Sequence, residues 1–135
     1  MPTGTVSLLP EEPDRTAEQL RASLSERFEV PLGTVISDSF GRPWRLGITD
    51  VALGVAGFAP LADLRGEPDA NGRIMRTTVI AMADEIASTA DLAAGKTSGC
   101  PVVLVRGARL PPEAADPAQR GARSLIMARE QELFR

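Results

Sequence analysis

Apolar positions along the chain come in short runs broken by proline, glycine and charge, and two of the runs have helical spacing. Thr5-Val-Ser-Leu-Leu9 predicts a short strand ending at Pro10. After the break Glu11-Glu-Pro13, the residues Leu20, Leu24 and Phe28 recur every four positions with charges between them, which predicts an amphipathic helix over Asp14 to Arg27. Asp14 can cap that helix, and Thr16 with Gln19 offers an alternative capping pair. Thr34-Val-Ile36 reads as a brief buried strand running into a polar loop, Ser37 to Arg45. Asp50 to Gly57 is apolar and built of small residues. It reads as a second buried strand whose glycines allow close backbone approach, with a helix as the alternative.

The second half follows the same logic. Asp63 to Gly72 is irregular and ends in a turn signal, Asp-Ala-Asn-Gly. Arg76 to Ala94 gives the clearest helical pattern. Val79, Ile80, Ala83, Ile86, Ala87, Ala90 and Ala94 form one stripe, narrow enough for close packing, and Gly95 stands where a helix stop belongs. Pro101 to Arg106 predicts a strand, Ala108 to Gln119 a proline- and alanine-rich loop, and Ala122 to Met127 a short final helix. The sum is an α+β single domain with a mixed or mostly antiparallel sheet and two main helices. The strand order is not fixed by the pattern.

Composition narrows the chemistry. The 135 residues suffice for one core, and with 4% aromatics that core must be aliphatic and rich in alanine. A net charge of −3 gives no basic surface for nucleic acid and no reason to expect a membrane surface. The first ten residues carry no basic start and no long apolar run, and no window is long enough for a membrane span, so the expected location is cytoplasmic. The chain has no histidine and a single cysteine. That removes the usual neutral-pH base, histidine-based zinc sites and Ser-His-Asp triads. Any metal must then be a hard cation held by oxygen, magnesium or manganese.

Three constellations carry candidate chemistry. Asp38, flanked by Ser37 and Ser39, suits magnesium, which takes one carboxylate plus water and phosphate oxygens. Alternatively Asp38 ties down its own turn. Arg42 and Arg45 flank the only tryptophan, and Arg65, Arg73 and Arg76 follow. Guanidinium forks match phosphate or carboxylate oxygens, or these arginines pair with Asp50, Asp63, Glu67 and Asp69. Gly95-Lys96-Thr97 is not a P-loop, because position 90 is Ala and a helix precedes the segment. Gly95 to Gly99 can still offer backbone N–H groups, Lys96, Thr97 and Ser98 to an anion, or be a plain connection. Asp84-Glu85 reads as solvated helix surface and Cys100 as a small packing residue.

The run Ile36-Ser-Asp-Ser-Phe-Gly-Arg-Pro-Trp-Arg45, with Gly47 and Thr49-Asp-Val-Ala-Leu-Gly-Val-Ala-Gly57, resembles the coenzyme F420:L-glutamate ligase family. The likeness continues through Ala59-Pro-Leu61, Asp63, Arg65-Gly-Glu67, Asp69, Gly72-Arg73, Ala83-Asp-Glu85, Gly95-Lys96, Pro101-Val-Val and Arg106-Gly107, to a domain end at Leu133-Phe134. The resemblance implies the C-terminal half of the γ-glutamyl ligase domain over residues 1–135, the N-terminal half being absent. That half ends in an Asp-x-x-Asn element, and the segment following it resembles Pro2 to Pro13. It also implies GTP-dependent, divalent-metal-dependent ligation of L-glutamate to coenzyme F420-0 through an acyl phosphate, in coenzyme F420 biosynthesis. The alternative is a non-catalytic metal- and nucleotide-binding or assembly module that keeps the fold.

By position, the resemblance implies Asp38 as ligand of one metal (Mg2+ or Mn2+) and Ser39 of a second. It implies the loop Ala94, Gly95, Lys96, Thr97, Ser98, Gly99, Cys100, Pro101 as part of the GTP site. Lys96 suits phosphate and cannot bind metal, which leaves the second metal site incomplete. Charge makes Arg42 and Arg45, beside Asp38, the candidates for handling the phosphates or the phosphodiester and carboxylate of the substrate. The family's dimeric state implies a homodimer or a complementing N-terminal half as partner.

Overall fold

The computed structural model describes residues 4–131. Its centre is an antiparallel ribbon, β1 (Thr34–Gly41) paired with β2 (Ile48–Ala56). Both strands are rich in β-branched residues. The register runs Thr34↔Ala56, Val35↔Val55, Ile36↔Gly54, then slips by a bulge to Ser37↔Ala52, Asp38↔Val51, Ser39↔Asp50, Phe40↔Thr49 and Gly41↔Ile48. Helices α1 (Pro13–Phe28) and α2 (Met82–Ala94) pack against β2. A two-residue ladder joins β3 (Ala62–Asp63) to β4 (Val79–Ile80), also antiparallel. Single 3-10 turns follow at Pro117–Gln119, Ala122–Leu125 and Arg129–Gln131. The architecture is α+β, as expected.

The core is small. Ala52, Val55, Phe58, Ala83 and Ala122 are buried, and Val35, Met82, Ile86 and Leu125 close around them. Alanines on both α2 and β2 let backbones approach closely, and the approach is fastened electrostatically. Asp14, in the first turn of α1, accepts the Val55 N–H at 2.9 Å and the Ala122 N–H at 2.6 Å. Asp84, in the first turn of α2, accepts the Ala52 N–H at 2.9 Å. Each helix start, where the dipole favours an anion, is thus tied to a β2 backbone donor. Gly54 serves the same packing. A Cβ there would meet the backbone carbonyl carbon of Pro13 at 2.5 Å.

Several expectations change. Asp14 does not cap α1, since Glu12 holds the cap position without a side-chain bond, and Thr16 Oγ donates to the Glu12 carbonyl at 3.0 Å. Thr5–Leu9 forms no strand and leaves Val6, Leu8 and Leu9 exposed. Pro101–Arg106 likewise pairs with no strand among the described residues, and Val102 is 78% exposed. β-propensity is realised only in a ladder, and among the described residues neither segment is laddered to another strand. The segment Ser37–Gly41, expected in a loop, continues β1, because its polar side chains bond across to β2.

The helix expected from Arg76 begins only at Met82, after Val79 and Ile80 are taken by β3 and the Thr78 carbonyl accepts the Leu64 N–H. Two apolar neighbours fit either period, and long-range pairing decides. Cys100 is exposed rather than packed. Asp84 is pinned to β2 rather than simply solvated. The final helix is a 3-10 turn. Leu133-Phe134 and Pro2 lie outside the described residues.

Candidate functional site

Strand alternation sorts the residues after the bulge onto two faces. Ser37 and Ser39 share one face with Asp50, and the contacts agree: Ser37 Oγ donates to Asp50 Oδ2 at 3.0 Å and Ser39 Oγ to Asp50 Oδ1 at 3.1 Å. The Asp50 side chain is 14% exposed. From the end of α2, Lys96 reaches across to the same spot. Its Nζ donates to Ser39 Oγ and lies 3.7 Å from Asp50 Oδ1. Gly95 ends α2 with φ 71° and ψ 144°, a positive-φ conformation suited to glycine, and its N–H bonds the Asp91 carbonyl at 2.8 Å. A second set of bonds fixes β2 to α2 nearby. Ser88 Oγ donates to the Asp50 carbonyl at 2.9 Å and lies 2.9 Å from Thr49 Oγ1.

Asp38 sits on the opposite face from Ser39, exposed, with Oδ1 accepting the Ser39 N–H at 2.7 Å. The short turn-like bond foreseen for it is therefore present, on a strand. Arg42, Pro43, Trp44 and Arg45 form the hairpin turn, closed by Arg45 N–H to the Arg42 carbonyl at 3.3 Å. Trp44 takes φ 54°, a conformation that costs a non-glycine residue about 1 kcal/mol or more. Arg42 lines an open cleft of ≈ 790 Å³ between β2 and the start of α2, with Phe40, Thr49, Asp84, Ser88 and Thr89. Among the arginines foreseen as ion-paired, Arg65 bonds Asp63, with Nη2 2.5 Å from Oδ2. That neighbour holds the Asp63 carboxyl down at about 2.

The loop Ala94–Pro101 is organised locally. Ser98 Oγ donates to the Gly95 carbonyl at 3.2 Å and accepts the Cys100 N–H at 3.1 Å, and Gly99 has φ 68°. The fold thus unites Ser39 and Lys96, which the sequence kept as separate candidates. It does not bring Asp38 and Ser39 to one point. The residue missed as a site member is Asp50. Its signal was the Ser-x-Ser alternation opposite an Asp, legible only once the hairpin register is known.

A model of the family described as F420-0:Gamma-glutamyl ligase matches residues 1–107. The chain belongs to the F420-0:gamma-glutamyl ligase family. It is similar to the coenzyme F420:L-glutamate ligase of Methanopyrus kandleri, 41% identical over 99% of this chain and 53% of that protein. Ligases of the same name from Methanocaldococcus jannaschii and Methanothermobacter thermautotrophicus are each 40% identical, over 96% and 98% of this chain and 51% and 52% of theirs. The chain spans about half the length of these ligases. No helix among the described residues is long and apolar enough to cross a membrane.

The oxygen donors can be set against the divalent ions that the ligase likeness implies. No group of three or more His, Cys, Asp or Glu side chains gathers among the described residues. A metal here would lean on phosphate and water oxygens, as magnesium usually does. Exposed Asp38 fits that role. Its opposition to Ser39 is compatible with two separate ions and incompatible with one ion shared by both side chains. At Ser39 the fit fails, because the Lys96 ammonium already stands against its hydroxyl and Asp50.

Proposed function

We propose that the chain carries phosphate- and metal-handling residues of a coenzyme F420:L-glutamate ligase that uses GTP. In this reading the γ-phosphoryl group of GTP passes to a carboxylate oxygen of coenzyme F420-0. The amine of L-glutamate then attacks the carbonyl carbon of that acyl phosphate, the C–O bond to phosphate breaks, a proton leaves the nitrogen, and an amide, GDP and phosphate result. A divalent cation, Mg2+ or Mn2+, supplies charge neutralisation between phosphate oxygens when bound.

The chain's own residues bind and orient. Asp38 offers its exposed carboxylate to the cation. Lys96 and the N–H groups of the turn Gly95–Gly99 face the phosphates. Arg42, at the rim of the cleft, and Arg45 are the candidates for an anionic substrate group, which guanidinium forks match. Phosphoryl transfer of this kind needs fixed cations more than a histidine base, in keeping with a chain that has none.

The observation that supports this reading best is the meeting of Lys96 with the Ser37–Ser39–Asp50 cluster, in a chain about 40% identical to named ligases. A non-catalytic module would keep the same fold, so the test is binding. Calorimetric titration with GTP should give binding in Mn2+ that is lost in EDTA and weakened at least about tenfold by Asp38→Ala, the loss of one charged ligand. Binding that ignores both the metal and Asp38 would sink the proposal.

A further inference from the structure

The Ser37–Ser39–Asp50 cluster has the makings of a cation site of its own. Two carboxylate oxygens and two hydroxyl oxygens converge on one face of the ribbon, held by bonds of 3.0 and 3.1 Å, with the carboxylate largely withdrawn from water. A carboxylate withdrawn from water in this way is stabilised further by a positive partner. The partner present is the Lys96 ammonium, which enters from 46 residues away in sequence. Lys96 has three donors and no acceptor. It bonds the Ser39 hydroxyl and stands 3.7 Å from Asp50 Oδ1, so a metal cannot occupy the same place against these two oxygens.

We propose that the Lys96 ammonium takes the place of a divalent cation at this cluster, as a built-in charge that Asp50 positions for a phosphate oxygen. The assigned role toward phosphate rests on the ligase reading above, whereas the exclusion of metal rests on geometry alone. With the Lys96 side chain 60% exposed, part of the ammonium faces outward while Ser39 and Asp50 hold the other side. An ammonium fixed in this way carries less charge than a metal and cannot dissociate. Asp50 is a positioning residue and touches no reacting atom in this account.

The test counts Mn2+ bound to the purified full chain by electron paramagnetic resonance, up to about 5 mM, a range suited to a weak one-carboxylate site. Lys96→Gln should bind about one Mn2+ more per chain than the wild type, since it frees the oxygen donors. Lys96→Arg, which keeps the charge, should gain none. The double variant Lys96→Gln, Asp50→Asn should lose the gain. Circular dichroism verifies folding, and Lys96→Ala replaces Gln if Gln disturbs it.

No gain in a folded Lys96→Gln or Lys96→Ala chain overturns the proposal, as does an equal gain in Lys96→Arg. The GTP titration of Asp38→Ala judges the ligase reading separately. If that reading fails while Lys96→Gln still gains its ion, the ammonium remains the occupant of the cluster and only its role toward phosphate falls.

Discussion

Asp14 ties three segments of the fold together and gives the sharpest test of how α1 is attached. Its Oδ1 accepts two backbone N–H groups, from Val55 at 2.9 Å and Ala122 at 2.6 Å, and Oδ2 lies 3.4 Å from the Arg123 nitrogen. The carboxylate therefore joins α1, β2 and the Ala122–Leu125 turn at a single atom. A hydrogen bond to a charged group contributes about 1.5–3 kcal/mol, and a donor left unmade in a partly buried place costs a similar amount. Asp14→Ala removes both short bonds and the anion at the helix start, so a loss near the lower bound for two bonds, about 3 kcal/mol, is expected.

Asp14→Asn separates geometry from charge. The amide oxygen can keep the Oδ1 position and both short contacts. What goes is the net charge and the weak acceptor facing Arg123, so about 1 kcal/mol should be lost. Urea unfolding followed by far-ultraviolet circular dichroism measures both as shifts of midpoint at unchanged slope. An Asp14→Ala loss under about 1 kcal/mol, or equal losses in the two variants, would refute the reasoning. The first would mean the bonds contribute little. The second would mean charge alone matters.

Two further outcomes follow from the packing and the ion pairs. Gly54→Ala should cost about 3 kcal/mol in the same urea assay, because the new methyl meets Pro13 backbone atoms that cannot rotate away. A cost within about 0.5 kcal/mol would show that α1 can slide off β2. The Asp63 carboxyl should titrate at about 2 by carbon NMR, and Arg65→Gln should return it toward the ordinary carboxylate value. The sign of the linkage is that of a depressed acid. The pair's contribution is complete above the unfolded carboxylate value of about 3.9 and disappears as pH falls through about 2. Both side chains are well exposed, so acid unfolding should hardly notice Arg65→Gln.

The sequence by itself determined the family, through the likeness of Ile36–Arg45, Gly47 and Thr49–Gly57. It also determined the α+β class, the span of α1 within a residue at each end, β2 and the stop of α2 at Gly95. These are local matters. Helical spacing, a glycine stop and an apolar run each speak within a few residues. The absence of histidine in the sequence likewise removes imidazole from this chain as a base or metal ligand.

Only the tertiary structure decided what needs a partner distant in the chain. Among the described residues Thr5–Leu9 and Pro101–Arg106 carry strand composition without forming a strand, while Val79–Ile80 left the expected helix to pair with Ala62–Asp63. The bulge after Ile36 fixes which face Ser37 and Ser39 take, and a slip of one residue would have sent both away from Asp50. Asp50 and Lys96 meet across 46 positions, and Asp14 and Ala122 across 108, by contacts that no local pattern encodes. A side chain's type is written in the sequence. Which charge it faces is set by strand register and by helix docking, and these follow from the burial and hydrogen bonding of the whole chain.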